Sequence, residues 1–255
     1  MKIAVCIKQV VTREWQVRVN DDKTWVRDAD ASWELNEPDA YALEEGLRLK
    51  EKHGGEVVVI SAGPARATQV IREALARGAD RAIHVEGEHF ATADAFVVAS
   101  ALADALKQEQ IDLVLTGLQS DDQGFAQVGV LVAEKLDMAH STIIMEVQVE
   151  VESRKLKVKR ELEGGWFQWI SMPLPAALTI QSGINQLRYA TLKGIMAAKK
   201  KEIRVVSAAS GAPARQRITA IYLPQKNKQT RMIGGSPAEA AKELVRALRE
   251  EARVF

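Results

Sequence analysis

Along its first 136 residues the chain alternates between two hydrophobic patterns. Short, β-branched apolar runs at Lys2–Ile7, Glu56–Ser61, Arg81–Val85 and Ile111–Thr116 have the continuous character of strands buried on both faces. Between them, apolar residues recur at helical spacing. Ala42, Leu43, Gly46, Leu47 and Leu49 define a helix that opens at Asn36-Glu37-Pro38-Asp39 and stops at Gly54-Gly55. Val70, Ile71, Ala74 and Leu75 define a second over Thr68–Arg77, ended by Gly78. Ala93–Gln108 and Phe125–Leu136 are expected as the third and fourth. Strands that alternate with helices in this way predict an α/β fold with a doubly wound, mainly parallel sheet. The segment Val10–Val26, with Asn20-Asp21-Asp22 as its turn, reads as a peripheral hairpin or extended excursion.

After Leu136 the pattern changes. Ser141–Val151 and Lys155–Leu162 alternate like an antiparallel pair, Trp166–Met172 offers a third such strand, and Pro175–Ile180 returns to buried-strand composition. From Gly183 the β/α rhythm is lost. This last portion of the chain carries a basic cluster (Lys199, Lys200, Lys201), a soft stretch from Ser207 to Ala214, and an amphipathic helix over Pro237–Glu251. That helix suits equally an arm that packs on another chain or a piece of this chain's own core. The expected division is therefore 1–182 as an α/β domain and 183–255 as a loop and C-terminal arm.

Composition narrows the class. The 255 residues are 47% hydrophobic and 27% charged, with a net charge of +1. That balance offers no basic stripe for nucleic acid. The single cysteine, Cys6, excludes an internal disulfide and a multi-cysteine metal site. The apolar run in MKIAVCIKQVV is short for a signal peptide, and no segment approaches the ~20 apolar residues of a membrane span. A reducing, cytoplasmic setting is expected.

The richest candidate for chemistry is the loop Thr116–Gly124, which leaves the carboxyl end of a core strand and leads into a helix. Free N–H groups and the helix dipole there suit an anion, and open α/β sheets bind ligands at strand carboxyl ends. The plain alternative is a capped connection, and the acids Asp121 and Asp122 oppose a phosphate unless they turn away. Neither G-x-G-x-x-G nor G-x-x-x-x-G-K-[ST] is present. His53, His84, His89 and His140 have no metal-ligand spacing, and no nucleophile elbow occurs. No catalytic residue and no metal site is expected. Glu44-Glu45 reads as a solvated helix face, Cys6 as a buried small hydrophobe, and Trp166, Phe167 and Trp169 as a sheet face that packs on a partner or the core.

Five segments, in this order, carry a resemblance: Lys2–Val10; Asn36–Asp39 with Ala42–Lys50; Gly63-Pro64-Ala65 with Leu75–Arg81; Gly117–Gln119 through Gln127-Val128-Gly129; and Arg188–Leu192 through Met196 and the lysines. Together they resemble the β subunit of electron-transfer flavoproteins across nearly the whole chain. The resemblance implies a Rossmann-like, adenine-nucleotide-binding fold and a heterodimer. In it an α subunit carries most of the FAD site and the β subunit holds a structural AMP, with no substrate-turnover site in this chain. Electrons would come from an acyl-CoA or amine-type dehydrogenase and leave to a quinone oxidoreductase or similar acceptor. By the same resemblance, the base and ribose of AMP lie near Cys6, Asn36, Asp39 and Ala62. The nucleotide loop supplies Gly117, Gln119, Ser120, Asp122, Gln123, Gly124, Phe125, Ala126, Gln127 and Val128, with the phosphate at about Gln123–Val128. Partner docking falls to Tyr189, Leu192, Ile195 and Met196, with Leu192 as anchor. From spacing alone, Leu192, Ile195 and Met196 read instead as packed on this chain's own surface. The loop G-L-Q-S-D-D-Q-G-F-A-Q-V-G departs from the G-R-Q-A-I-D-G-D-T-A-Q-V-G of many members and is similar to the form serving amine dehydrogenases. Leu187 and Lys193 stand where proline is common. Two alternatives remain: an electron-bifurcating subunit with a second FAD in place of AMP, or a stand-alone ATP-binding α/β protein.

Overall fold

The structure, a computed structural model, describes residues 1–208, 211–224 and 230–254. Residues 209–210 of the soft stretch lie outside the described residues.

The apolar runs become strands and the helical patterns become helices, in the order β1 (Lys2–Cys6), β2 (Gln9–Val11), β3 (Trp33–Leu35), α1 (Glu37–His53), β4 (Glu56–Gly63), α2 (Thr68–Arg77), β5 (Arg81–Glu86), α3 (Ala95–Leu106), β6 (Leu113–Gly117) and α4 (Val128–Lys135). Then come β7 (Ala139–Glu150), β8 (Lys155–Glu161), β9 (Phe167–Pro173), β10 (Ala176–Ile180), α5 (Leu192–Ala198), β11 (Ile203–Ser207) and α6 (Pro237–Arg246). Nine strands form one sheet in the order β11-β5-β4-β1-β6-β10-β7-β8-β9. The seven from β11 to β7 pair in parallel, and β8 and β9 extend the sheet antiparallel. Strands β2 and β3 make a separate antiparallel pair, and Val19 bridges Val26 in the excursion between them.

Each face of the sheet has its own core. On one, Ile3, Val5, Val57 and Leu115 pack with Leu43 and Leu47 of α1 and Ile71 and Leu75 of α2. On the other, Ala4, Val58, Ile60 and Val114 pack with Leu102 of α3 and Val132 of α4. Continuous apolar strands are the consequence of being covered on both sides. The fold is thus the doubly wound α/β arrangement with an antiparallel extension.

Three sequence expectations are corrected. The fourth helix begins at Val128 rather than Phe125, because Ala126 adopts φ 54°, a left-handed conformation that cannot continue a right-handed helix. The region beyond Gly183 does return to the sheet, as β11 pairs in parallel with β5 over Ile203–Ser207. Glu44 and Glu45 are buried, not solvated. The C-terminal helix behaves differently from the rest. Ser236 and Glu239 form a capping box at its start, a π-helical turn over Ala247–Glu251 extends it, and none of its residues is buried. It does not complete this chain's core.

Candidate functional site

The strand order reverses direction beside β1: β4 and β5 lie to one side, β6 to the other. That switch point leaves a crevice beyond the carboxyl ends of the strands, where open α/β sheets bind ligands. A cleft occupies it, with about 860 Å³ of empty space including its open mouth.

Cys6 and Ala62 reach it from the ends of β1 and β4, and Thr116 and Gly117 from the end of β6. Asn36 and Asp39 enter from the start of α1. The loop after β6 contributes Gln119, Ser120 and Gln123, then Phe125, Ala126, Gln127 and Val128. The structure therefore brings together twelve of the fourteen nucleotide-site candidates. Asp122 and Gly124 are not on its lining. Asp122 Oδ1 accepts from Lys8 Nζ at 2.7 Å, and Gly124 turns the loop at φ 64° with its N–H bonded to Ser120 O. Sequence reasoning missed Lys8 and the wall formed by Phe90, Ala93, Val98 and Leu102, whose apolar character reads as ordinary core.

Asn36 and Asp39 act as struts. Asp39 Oδ2 accepts the Lys8 N–H at 2.8 Å and Oδ1 accepts the Gly117 N–H at 2.9 Å, splicing the ends of β1 and β6. Two accepting oxygens describe a carboxylate, although burial pushes its pKa up to about 7 against the pull of those two amides. The Asn36 side chain donates to Gln119 O and accepts from Asp121 N, at 3.0 and 2.9 Å, which fixes the start of the loop. Gly117 is required here: a Cβ would lie 2.5 Å from Asp39 Oδ1 and 2.7 Å from both the carbonyl carbon and the Cβ of Pro38. The Cys6 thiol is pushed up to about 12, first by burial and then by the Asp39 charge, so it is no nucleophile.

The loop also resolves the objection raised by its acids. Asp122 is paired with Lys8, and Asp121 with Arg13 at 3.5 Å, so neither presents a free charge. Lys8 Nζ further donates to Ser120 Oγ and Gln123 Oε1. Left-handed residues at 124 and 126 let a chain turn successive N–H groups to one side. The first-turn N–H groups of α4, from Val128 to Val130, have no acceptor within the helix, since its bonds begin at Leu131 N to Gln127 O. Unpaired N–H groups at a helix start, on a loop that Lys8 holds in place, and an apolar slot opposite make a pocket whose donors and walls fit a nucleoside monophosphate.

A second region lies on the same face as α1 and α2. Leu192 is the first residue of α5 and is 84% exposed, Tyr189 is 89%, and Met196 and Ile195 are also exposed. They do not pack on this chain's own surface as their spacing alone predicts. Thr191 caps α5 through Gly194 N at 3.0 Å. Gly194 presses on α2 so closely that a Cβ would overlap Ala76 O. Arg72 donates to Ala198 O and Lys201 O at 2.6 and 2.8 Å, and Lys201 Nζ donates to Leu75 O and Ala79 O. Each helix thus has its last carbonyls satisfied by a cation near the other. The aromatic residues Phe167 and Trp169 on edge strand β9, and Trp166 just before it, are exposed, with Lys157 over Trp169 and Lys159 over Phe167.

Among the described residues no helix is long and apolar enough to cross a membrane, and no group of three or more His, Cys, Asp and Glu side chains could hold a metal ion.

Comparison with known proteins identifies the family. The family profile for the electron transfer flavoprotein domain matches residues 24–210. The electron transfer flavoprotein subunit beta of Methylophilus methylotrophus is 37% identical, over 98% of each chain. Those of Bos taurus and Homo sapiens are each 36% identical, over 100% of this chain and 99% of their own length. The chain therefore belongs to the electron-transfer flavoprotein family as a β subunit, and its role is electron transfer as part of a two-chain flavoprotein.

Proposed function

We propose that this chain binds AMP in the cleft at the β1/β6 switch point, completes a heterodimer whose α subunit holds most of the FAD, and docks a dehydrogenase through Leu192. The observation that carries the reading is the cleft itself, where a phosphate-compatible helix start faces an apolar slot. Phe90, Val98 and Leu102 suit the base. The unpaired backbone N–H groups of Val128 and Gly129 suit the phosphate, and Lys8 holds the loop beside them through Ser120, Asp122 and Gln123. AMP carries no redox chemistry, so its part is structural, and the chain needs no turnover site of its own.

Residues 1–182, with β11 added at the sheet's edge, serve as the nucleotide-binding domain, and the remainder of 183–255 supplies the recognition loop and an arm that packs on the α subunit. The arm reading rests on a helix with no buried residue and with Leu244 and Val245 exposed. Docking rests on the exposure of Tyr189, Leu192, Ile195 and Met196 beside basic Lys193, Lys199 and Lys200. One apolar anchor with a charged rim gives fast encounter and fast release, which a shuttle between an acyl-CoA or amine-type dehydrogenase and a quinone oxidoreductase requires. The test is to denature the purified heterodimer and count released nucleotides. One AMP and one FAD agree with the proposal. Two FAD mean a bifurcating subunit, and ATP on a chain that is stable alone means a nucleotide-binding protein of another kind.

A further inference from the structure

The segment that leads to α5 has no regular structure of its own, yet it is fastened to α1 at three points. Asn185 Nδ2 donates to Tyr41 O and Glu45 Oε2 at 3.2 and 3.1 Å. Arg48 donates to Gln186 O at 3.0 Å. Arg188 then spans two acids two turns apart on one face of α1: Nε meets Glu44 Oε2 at 2.7 Å, and Nη1 meets Glu51 Oε1 at 2.5 Å. Its own N–H also faces Glu44 Oε2, at 3.3 Å. Glu44 is 4% exposed, and only three residues separate Arg188 from Leu192. On the far side, α5 is held by Arg72, Lys201 and the close approach of Gly194 to α2. The apolar side chains between these two anchorages stay exposed. Several buried or half-buried polar contacts thus hold a short surface helix that has almost no core of its own to hold it.

We propose that Arg188, clasped by Glu44 and Glu51, is a positioning residue that presets the Leu192 helix for its redox partner. The inference rests on the docking reading given above. A segment fixed before encounter loses little conformational freedom on binding, so the clasp raises the productive encounter rate without touching the partner. Burial pushes the Glu44 carboxyl up, but the Arg188 and Arg48 hydrogen bonds outweigh this and hold it below its ordinary range. Removal of Arg188 leaves Glu44 paired with Arg48 at 2.7 Å, so the change strands no buried charge.

The experiment compares intact heterodimers: wild type, Arg188→Ala, Leu192→Ala and the double variant. The donor is an acyl-CoA dehydrogenase reduced by its acyl-CoA or an amine dehydrogenase reduced by its amine, whichever reduces the wild type. The rate of FAD bleaching is followed, with dithionite as a reductant that needs no docking. Leu192→Ala is expected to slow the donor reaction about 30-fold, as for an interface anchor. Arg188→Ala is expected to slow it about 10-fold, through lost preorganisation. The double variant should match Leu192→Ala within about 2-fold, because both act through one contact. Dithionite rates and bound nucleotide should not change, and amide exchange over 185–191 should speed up in Arg188→Ala. Full multiplication of the two effects, or a wild-type rate for Arg188→Ala, overturns the clasp. A wild-type rate for Leu192→Ala overturns the docking reading instead. Glu51→Gln, at an exposed position, gives a milder form of the same comparison if Arg188→Ala does not fold.

Discussion

Gly117→Ala tests the splice that shapes the cleft proposed to hold AMP. The new Cβ would meet Asp39 Oδ1 at 2.5 Å and Pro38 at 2.7 Å twice, once on the backbone. Each contact lies roughly 1 Å inside ordinary van der Waals separation. Relief is not available locally: Pro38 is a rigid ring in the first turn of α1, and both Asp39 oxygens are committed to amides. Overpacking of this kind costs about 1–3 kcal/mol. Displacing the Gly117 N–H from a charged acceptor costs about 1.5–3 kcal/mol more. Since the two share one contact they do not add fully, and a net loss of about 2–5 kcal/mol is expected. At about 2–4 °C per kcal/mol for a domain of this size, the melting midpoint should fall by roughly 4–20 °C. Thermal scans of the heterodimer at fixed protein and nucleotide concentration measure it. A shift under about 2 °C, at the scale of one weak contact, together with unchanged AMP content, would refute the argument that β6 is pressed onto the start of α1.

The geometry sets three further outcomes. Lys8→Met removes the cation that pairs with Asp122 and steadies Ser120 and Gln123, so AMP retention on dilution should weaken by about 10-fold while the sheet stays folded. Cys6, with its thiol raised to about 12, should resist iodoacetamide in the native heterodimer and react only after unfolding; rapid native labelling would contradict its burial. Glu109 accepts from Lys2, Arg81 and Arg204, and although burial raises its pKa, those partners hold it below the ordinary value. Its contribution is therefore fully present above about pH 4.3, the unfolded value, and is lost as pH falls through the depressed folded value. Glu109→Gln should flatten the acid limb of the stability profile, and an identical acid limb in both proteins would count against the network.

How much of the molecule is legible in the sequence varies with the range of the interactions. The parallel strands are plain because a strand covered on both faces must be apolar throughout, as in Val57–Ile60. The span of α2 is plain because Gly78, at φ 138°, ends it with a conformation few other residues accept. The start of α4 is misplaced by the sequence because nothing in Phe125-Ala126-Gln127 announces a left-handed alanine. Strand β11 escapes notice because it is an edge strand with Val205 exposed, so its pattern lacks the continuous apolar run of the central strands. Glu44 and Glu45 read as solvated because the side chains that bury them, Arg188 and Asn185, lie 144 and 140 residues away. The loop of the cleft can be picked out from local chemistry, but its apolar wall cannot. Phe90, Val98 and Leu102 look like any core residues until the cleft is seen beside them.

The most direct test of the account is to locate the nucleotide proposed for the cleft. The heterodimer is refolded with 8-azido-AMP in place of AMP, irradiated, digested and mapped. The adduct should fall on the apolar wall between Phe90 and Leu102 or beside Cys6 and Ala62, and excess AMP should suppress it. A specific adduct elsewhere on the chain, or none while AMP still co-purifies with the heterodimer, would contradict the assignment of this cleft.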